Sequence, residues 1–229
     1  MKHTRTLLLT AILTAMAITA IPATASAAGW DIDVEGGTVP LKFTVASNEV
    51  KFTMALGTTL SCTKVAGSGQ YLTTTEGSLE FTFNGCQRGG GEECHSKGAL
   101  FGEVTSTSLA FHNIMAESTV QVFNGIPGIL ITGNNNHFAT LECALTTAEV
   151  IGNGVIGIMT APVCATAAWS PTATVNFAST KPGQQEYKQV ETTGTVYDFT
   201  VRRPLVTETA SVDLSLVVTY EKNMKTTCP

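Results

Sequence analysis

Between Ser61 and Gly98 the chain reads SCTKVAGSGQYLTTTEGSLEFTFNGCQRGGGEECHSKG, and this stretch limits the fold more than any other. Leu79, Phe81 and Phe83 alternate with Glu80 and Thr82. That period places apolar side chains on one face of a strand and is wrong for a helical stripe. Cys62, Cys86 and Cys94 fall in the same stretch. Asn84-Gly85 is a turn signal, and Gly89-Gly90-Gly91 a longer loop. Together they describe strands tied near a loop by a disulfide.

The same alternation recurs along the chain. Leu41 to Val45 and Val50 to Met54 flank Ser47-Asn48 and are expected to form a first hairpin. Strands are also expected over Leu100 to Phe111, Met115 to Phe123, Ile129 to Ile131 and His137 to Leu145. Asn153-Gly154 is a hairpin signal between Glu149-Val150-Ile151 and Val155-Ile156-Gly157-Ile158. Residues 161–170 are the least strand-like, with room for a short helical turn. Val175 and Phe177 mark another strand, Lys181-Pro182-Gly183 a turn, and Thr195 to Arg203 a strand stopped by Pro204. Val212, Leu214, Leu216, Val218 and Tyr220 form the longest alternation. No mature stretch sustains a 3.6-residue period, so the expected fold is a single all-β domain, residues 28–229, an antiparallel sandwich or barrel.

Residues 1–27 read as a secretory signal peptide. Lys2 and Arg5 precede the apolar Leu7 to Ile21, and Ala25-Ser26-Ala27 fits an A-x-A cleavage site. The apolar run is short for a membrane span, and no later one is longer. The mature product is expected to be secreted or held at the cell surface, with no membrane span. It keeps 11 Lys+Arg against 18 Asp+Glu, net −7. That balance argues against nucleic acid or anionic membrane as partner, since both call for basic patches.

All six cysteines lie in the mature chain, and an even count in an exported protein reads as three disulfides. Many connectivities are open. The expected set is Cys86–Cys94, closing the glycine-rich loop, Cys62–Cys143, joining two strand-like contexts, and Cys164–Cys228, reached by elimination. Each is expected to contribute roughly 2–4 kcal/mol.

No residue pattern calls for catalysis, a metal or a cofactor. Cys94-His95 beside Glu92-Glu93 is the nearest cluster to a zinc set, but a disulfide beside a polar loop explains it better. Neither H-E-x-x-H nor G-x-S-x-G occurs; Gly67-Ser68-Gly69 and Glu76-Gly77-Ser78 read as turns. Asp31-x-Asp33-x-Glu35-Gly36 begins like a calcium loop, but Lys42 stands where the twelfth-position acid belongs. Ile32 and Val34 would then simply face inward. The Gly89 to Gly91 run lacks a phosphate-loop ending, and Arg202-Arg203 reads as a solvated strand end. Trp30 and Trp169 are either carbohydrate anchors or packing plugs. No N-x-S/T sequon occurs.

The signal peptide, L-S-C-T of residues 60–63, F-T-F-N-G-C of residues 81–86, Cys94 and L-E-C of residues 141–143 resemble uncharacterised exported proteins of Gram-positive bacteria. Cys164 and Cys228 fall outside that pattern. The resemblance implies an exported β domain and carries no activity. The expected function is a non-enzymatic structural or binding module; the alternative is a secreted polysaccharide hydrolase, its carboxylates drawn from separate strands.

Overall fold

The computed structural model describes residues 29–118, 124–144, 146–161, 164, 168–189, 197 and 199–228. The expected signal peptide lies outside the described residues. The strands, in order, are β1 (Asp31–Val34), β2 (Leu41–Ser47), β3 (Val50–Met54), β4 (Thr59–Cys62), β5 (Lys64–Tyr71), β6 (Glu76–Asn84) and β7 (Gln87–Arg88). Then come β8 (Glu92–His95), β9 (Val104–Thr105), β10 (Leu109–Ser118), β11 (Asn124–Gly133), β12 (His137–Cys143), β13 (Thr146–Gly152) and β14 (Val155–Ala161). The last are β15 (Ser170–Phe177), β16 (Ser179–Lys181), β17 (Gln184–Gln185), β18 (Tyr187–Gln189), β19 (Phe199–Arg203) and β20 (Val206–Thr227). All but β16 and β17 belong to one hydrogen-bonded network, and every pairing is antiparallel.

The pairings close. Eight strands form a first barrel in the order β20, β2, β5, β6, β10, β11, β14, β15 and back to β20. The outer strands make a second closed circuit of β20, β3, β4, β7, β8, β12, β13 and β19. The two share a wall, because β2 runs on into β3, β5 is the continuation of β4, and β6 runs on into β7. Register with the β5–β4 strand is kept across the β2–β3 junction: Ser47 faces Val65, and Val50 faces Cys62. The 22-residue β20 spans both circuits. Closure leaves these walls no free edge.

This continuity overturns the expected first hairpin. β2 and β3 do not pair with each other; both lie between β20 and the β5–β4 strand. Ser47-Asn48 has no glycine, and neither residue takes the positive φ of a two-residue reversal. The Ser47 hydroxyl instead donates to the Glu49 carbonyl at 3.0 Å, holding a local kink. Asn153-Gly154 is likewise not a hairpin: β13 pairs in the second circuit and β14 in the first. Gly154 has φ 155°, in a region that only glycine adopts freely, so the chain changes direction without folding back. A tight reversal sits instead at Asn135 and Asn136, with φ 51° and 62°, closed by the His137 N–H donating to the Asn134 carbonyl. The expected strand from Leu100 splits, with turns before the two-residue β9 and β10 starting only at Leu109.

Alternation on the strands fills the interior. Phe43, Tyr71, Phe111 and Tyr220 meet edge-on inside the first barrel, with ring centroids 4.7 Å apart for Tyr71–Phe111 and 6.0 Å for Phe43–Tyr220. Burying one such ring contributes about 1.5–3 kcal/mol. Gly77 makes this possible, since a Cβ there would stand 2.6 Å from the Phe111 ring and 2.0 Å from the Gln70 carbonyl. Trp30, fully buried, packs into the same core and donates from Nε1 to the Gly128 carbonyl at 2.9 Å. Asn113 joins this polar layer: it accepts from the Tyr71 hydroxyl and donates to the Trp30 and Thr74 carbonyls.

All six cysteines are paired, but two expected partners change. The disulfides are Cys62–Cys86, Cys94–Cys143 and Cys164–Cys228. The reason is strand order. β7 and β8 lie between β4 and β12, so Cys62 and Cys143 stand three strand spacings apart, about 14 Å. No disulfide spans that. Cys86 and Cys94 do face each other, but across a rung where the Cys94 N–H donates to the Cys86 carbonyl. Close, non-hydrogen-bonded rungs lie on either side, with Cα separations of 3.9 Å for Cys62–Cys86 and 4.2 Å for Cys94–Cys143. Val50, the four cysteines and Thr146 form one row across the wall. The row staples the circuit where its strands are shortest.

Candidate functional site

The residues singled out by sequence do not converge. Asp31 and Asp33 point outward from β1, while Ile32 and Val34 are buried. Asp31 accepts from the Thr74 hydroxyl, Asp33 pairs with Lys225 at 3.1 Å, and Glu35 accepts from the Asn223 amide. Among the described residues no group of three His, Cys, Asp or Glu side chains is placed to hold a metal. His95 faces away from Cys94 toward Glu142, 3.7 Å off, and edges onto Phe101. Trp30 is a core plug. Trp169 is 41% exposed, with Lys225 4.8 Å over its ring.

Of the expected solvated pair, Arg202 is exposed and Arg203 is not. Arg202 pairs with Glu149; Arg203 turns inward and pairs with the buried Glu208. The signal was in the sequence: Phe199, Val201 and Arg203 share one strand face.

The surface feature best suited to a ligand is a groove of about 590 Å³ across the outer face of the shared wall. β2, β5, β6 and β20 build it, and strand pairing sets its side chains in rows. Thr219, Thr44, Ser68 and Glu80 stand side by side in one row; Lys42, Gln70 and Ser78 form the next. Glu221 closes the second row, its carboxylate accepting from the Lys42 backbone N–H at 3.3 Å. Serine and threonine leave a low floor between the longer Lys42, Glu80 and Glu221. The floor is rigid because the inward residues of the same strands, Phe43, Leu79 and Tyr220, are locked in the core. Among the described residues no hydrogen bond engages the Ser68, Gln70, Ser78 or Glu80 side chain. They present hydroxyl, amide and carboxylate groups to solvent, ready to exchange hydrogen bonds with a polar ligand.

The groove's two carboxylates test the hydrolase alternative. Glu80 and Glu221 are three strand spacings and one row apart, about 16 Å along the sheet. A glycosidase pair sits about 5–9.5 Å apart. The arrangement can hold a chain of polar units but does not bring two acids to one bond. Sequence reading missed these residues because their outward positions, polar and unremarkable, become a site only when four strands align.

No protein-family model, curated protein or solved structure matches this chain.

Proposed function

We propose that the protein is an exported, non-enzymatic binding module that holds a hydroxyl-rich ligand, such as a glycan chain, on the outer wall of its first barrel. One observation carries the reading: Thr44, Ser68 and Ser78 form a rigid, low floor, and beside it the Gln70 and Glu80 side chains, like those of Ser68 and Ser78, are unengaged among the described residues. Export rests on the N-terminal segment and is supported by three disulfides, which persist in oxidising compartments. Among the described residues no helix is long and apolar enough to cross a membrane.

Titration with a panel of soluble oligosaccharides, followed by amide NMR, tests it. At least one is expected to shift Ser68, Gln70 and Ser78, and Ser68→Trp, which fills the floor, to abolish the response. Released reducing ends that disappear in Glu80→Gln would replace the module with the hydrolase reading. No response across the panel would refute the groove. Intact mass of material secreted by a bacterial host should start within a residue or two after Ala27; full-length chain in the membrane fraction would overturn export.

A further inference from the structure

Along β20, Glu221, Thr219, Val217, Ser215 and Asp213 follow one another at every second residue and share its outer face. Glu221 and Thr219 line the outer groove already described. Val217, Ser215 and Asp213 line a second groove of about 640 Å³, with Ala46, Asn48 and Lys51 opposite them. Register makes the two hollows neighbours. Thr44 faces Thr219 in the last row of the first groove, and Ala46 faces Val217 in the next row, where the second begins. That joining row is Val217, Ala46 and Ala66, all short side chains, so the face stays low from one groove into the other.

The second groove comes from the kink between β2 and β3. From Ala46 to Val50 the chain uses one residue more than β20 does from Val217 to Leu214. The extra residue is a bulge, which bends its strand and hollows the face beside it. The Ser47 hydroxyl fixes the bend, donating to the Glu49 carbonyl at 3.0 Å and accepting from the Glu49 N–H at 3.4 Å. Among the described residues no hydrogen bond or ion pair engages the Asn48, Lys51 or Ser215 side chain. The far end is closed by the turn between β16 and β17. Asp213 accepts from the Ser179 N–H and hydroxyl, both at 2.9 Å, and the Gly183 N–H donates to the Thr53 carbonyl at 3.1 Å. Ser211, the next outward position of β20, is fully buried there.

We propose that the two grooves form one track along β20 for an extended, neutral, β-1,4-linked sugar chain, an inference that rests on the glycan reading of the first groove. From Asp213 to Glu221 the track runs about 27 Å, set by the strand rise. That length takes a linear chain of several units rather than a single sugar. The track follows an extended strand, and β-1,4 linkage gives an extended ribbon, whereas α-1,4 linkage coils away from it. Neutrality follows from the lining charges. Glu49, Glu80, Asp213 and Glu221 outnumber Lys42 and Lys51, so the track repels an acidic chain. A peptide strand is disfavoured because the closed wall gives it no free edge to pair with. Sugar hydroxyls match what the track does present, which is hydroxyl, amide and ammonium groups on side chains.

Amide NMR titration with cellobiose, cellohexaose, maltohexaose and the β-1,4-mannuronate hexamer decides it. Cellohexaose should shift Ser68, Gln70 and Ser78 and also Ala46, Ser215 and Val217. It should bind about tenfold tighter than cellobiose, the equivalent of one or two further net hydrogen bonds. Ser215→Trp, at an exposed position, should fill the second groove and bring cellohexaose down to the cellobiose affinity. Amide shifts unchanged away from the track are the control on its folding. Equal affinity for cellobiose and cellohexaose, with Ser215 and Val217 unmoved, would overturn the track and leave the first groove standing. Maltohexaose binding as tightly as cellohexaose would overturn the extended chain, and the mannuronate doing so would overturn neutrality. Silence toward cellohexaose would overturn the track; silence across the wider oligosaccharide panel would remove the groove as well.

Discussion

Replacing Asn113 with alanine should cost the fold about 4 kcal/mol, worked from three hydrogen bonds at one buried side chain. Asn113 is 5% exposed. Its Oδ1 accepts from the Tyr71 hydroxyl at 3.2 Å, and its Nδ2 donates to the Trp30 carbonyl at 3.1 Å and the Thr74 carbonyl at 3.2 Å. The Thr74 carbonyl keeps the Ile32 N–H as a donor, so it is not stranded. The Trp30 carbonyl loses this partner inside the core, and the Tyr71 hydroxyl is left with only the Tyr220 hydroxyl beside it, at about 1–3 kcal/mol each. Tyr71→Phe strands Asn113 Oδ1 instead and should cost about 1–2 kcal/mol. In the double variant the Tyr71 hydroxyl, and with it the partner it lost, no longer exists. The combined cost should therefore fall short of the sum by about 1 kcal/mol or more, the mark of a coupled network. Urea unfolding of the four proteins in this cycle reads these values from the midpoints at constant slope. A loss below about 1 kcal/mol in Asn113→Ala, or strict additivity, would refute the claim that this layer is a linked seal.

Alkaline pH should loosen the same layer. Burial raises the hydroxyl pKa of both Tyr71 and Tyr220 above the ordinary value of 10.0. The unfolded chain therefore releases protons above that pH that the folded chain retains. Stability is full below pH 10.0 and falls as pH rises toward the folded-state values. Urea midpoints on either side of that pH should show the decline, and Tyr71→Phe should flatten it; an unchanged slope would contradict the assignment. The cystines give a second expectation. Chain-entropy estimates for the 24- and 49-residue separations are about 3.4 kcal/mol for Cys62–Cys86 and about 4.1 kcal/mol for Cys94–Cys143. The paired Cys→Ala variants should thus lose similar stability in denaturant, and a gap above about 2 kcal/mol would show that loop length does not govern them.

What the sequence showed, it showed through period. Leu41, Phe43 and Val45 declare their face without help from the rest of the chain, as do Leu79, Phe81 and Phe83, because two-residue alternation is local. Strand partnership is not local. Ser47-Asn48 lies between two good strands and suggests a hairpin, yet β20, more than 150 residues later, runs along one side of both. Asn153-Gly154 has the composition of a reversal, but pairing in two different circuits pulls its flanks apart. The cysteines make the same point. Their number announced three disulfides; their partners depend on which rungs are hydrogen-bonded, which follows from register alone. The groove was hidden for a similar reason. Ser68 and Ser78 belong to adjacent strands of one wall, and neither is distinctive until Thr44 and Glu80 stand beside them.

The second circuit stands or falls on the order β4, β7, β8, β12, and the disulfide map reports that order directly. Digestion of native protein under non-reducing conditions, with peptide mass spectrometry, should recover Cys62 linked to Cys86, Cys94 to Cys143 and Cys164 to Cys228, with no free thiol. Recovery of Cys86 linked to Cys94, or of Cys62 linked to Cys143, would contradict the strand order and the closed circuit built on it.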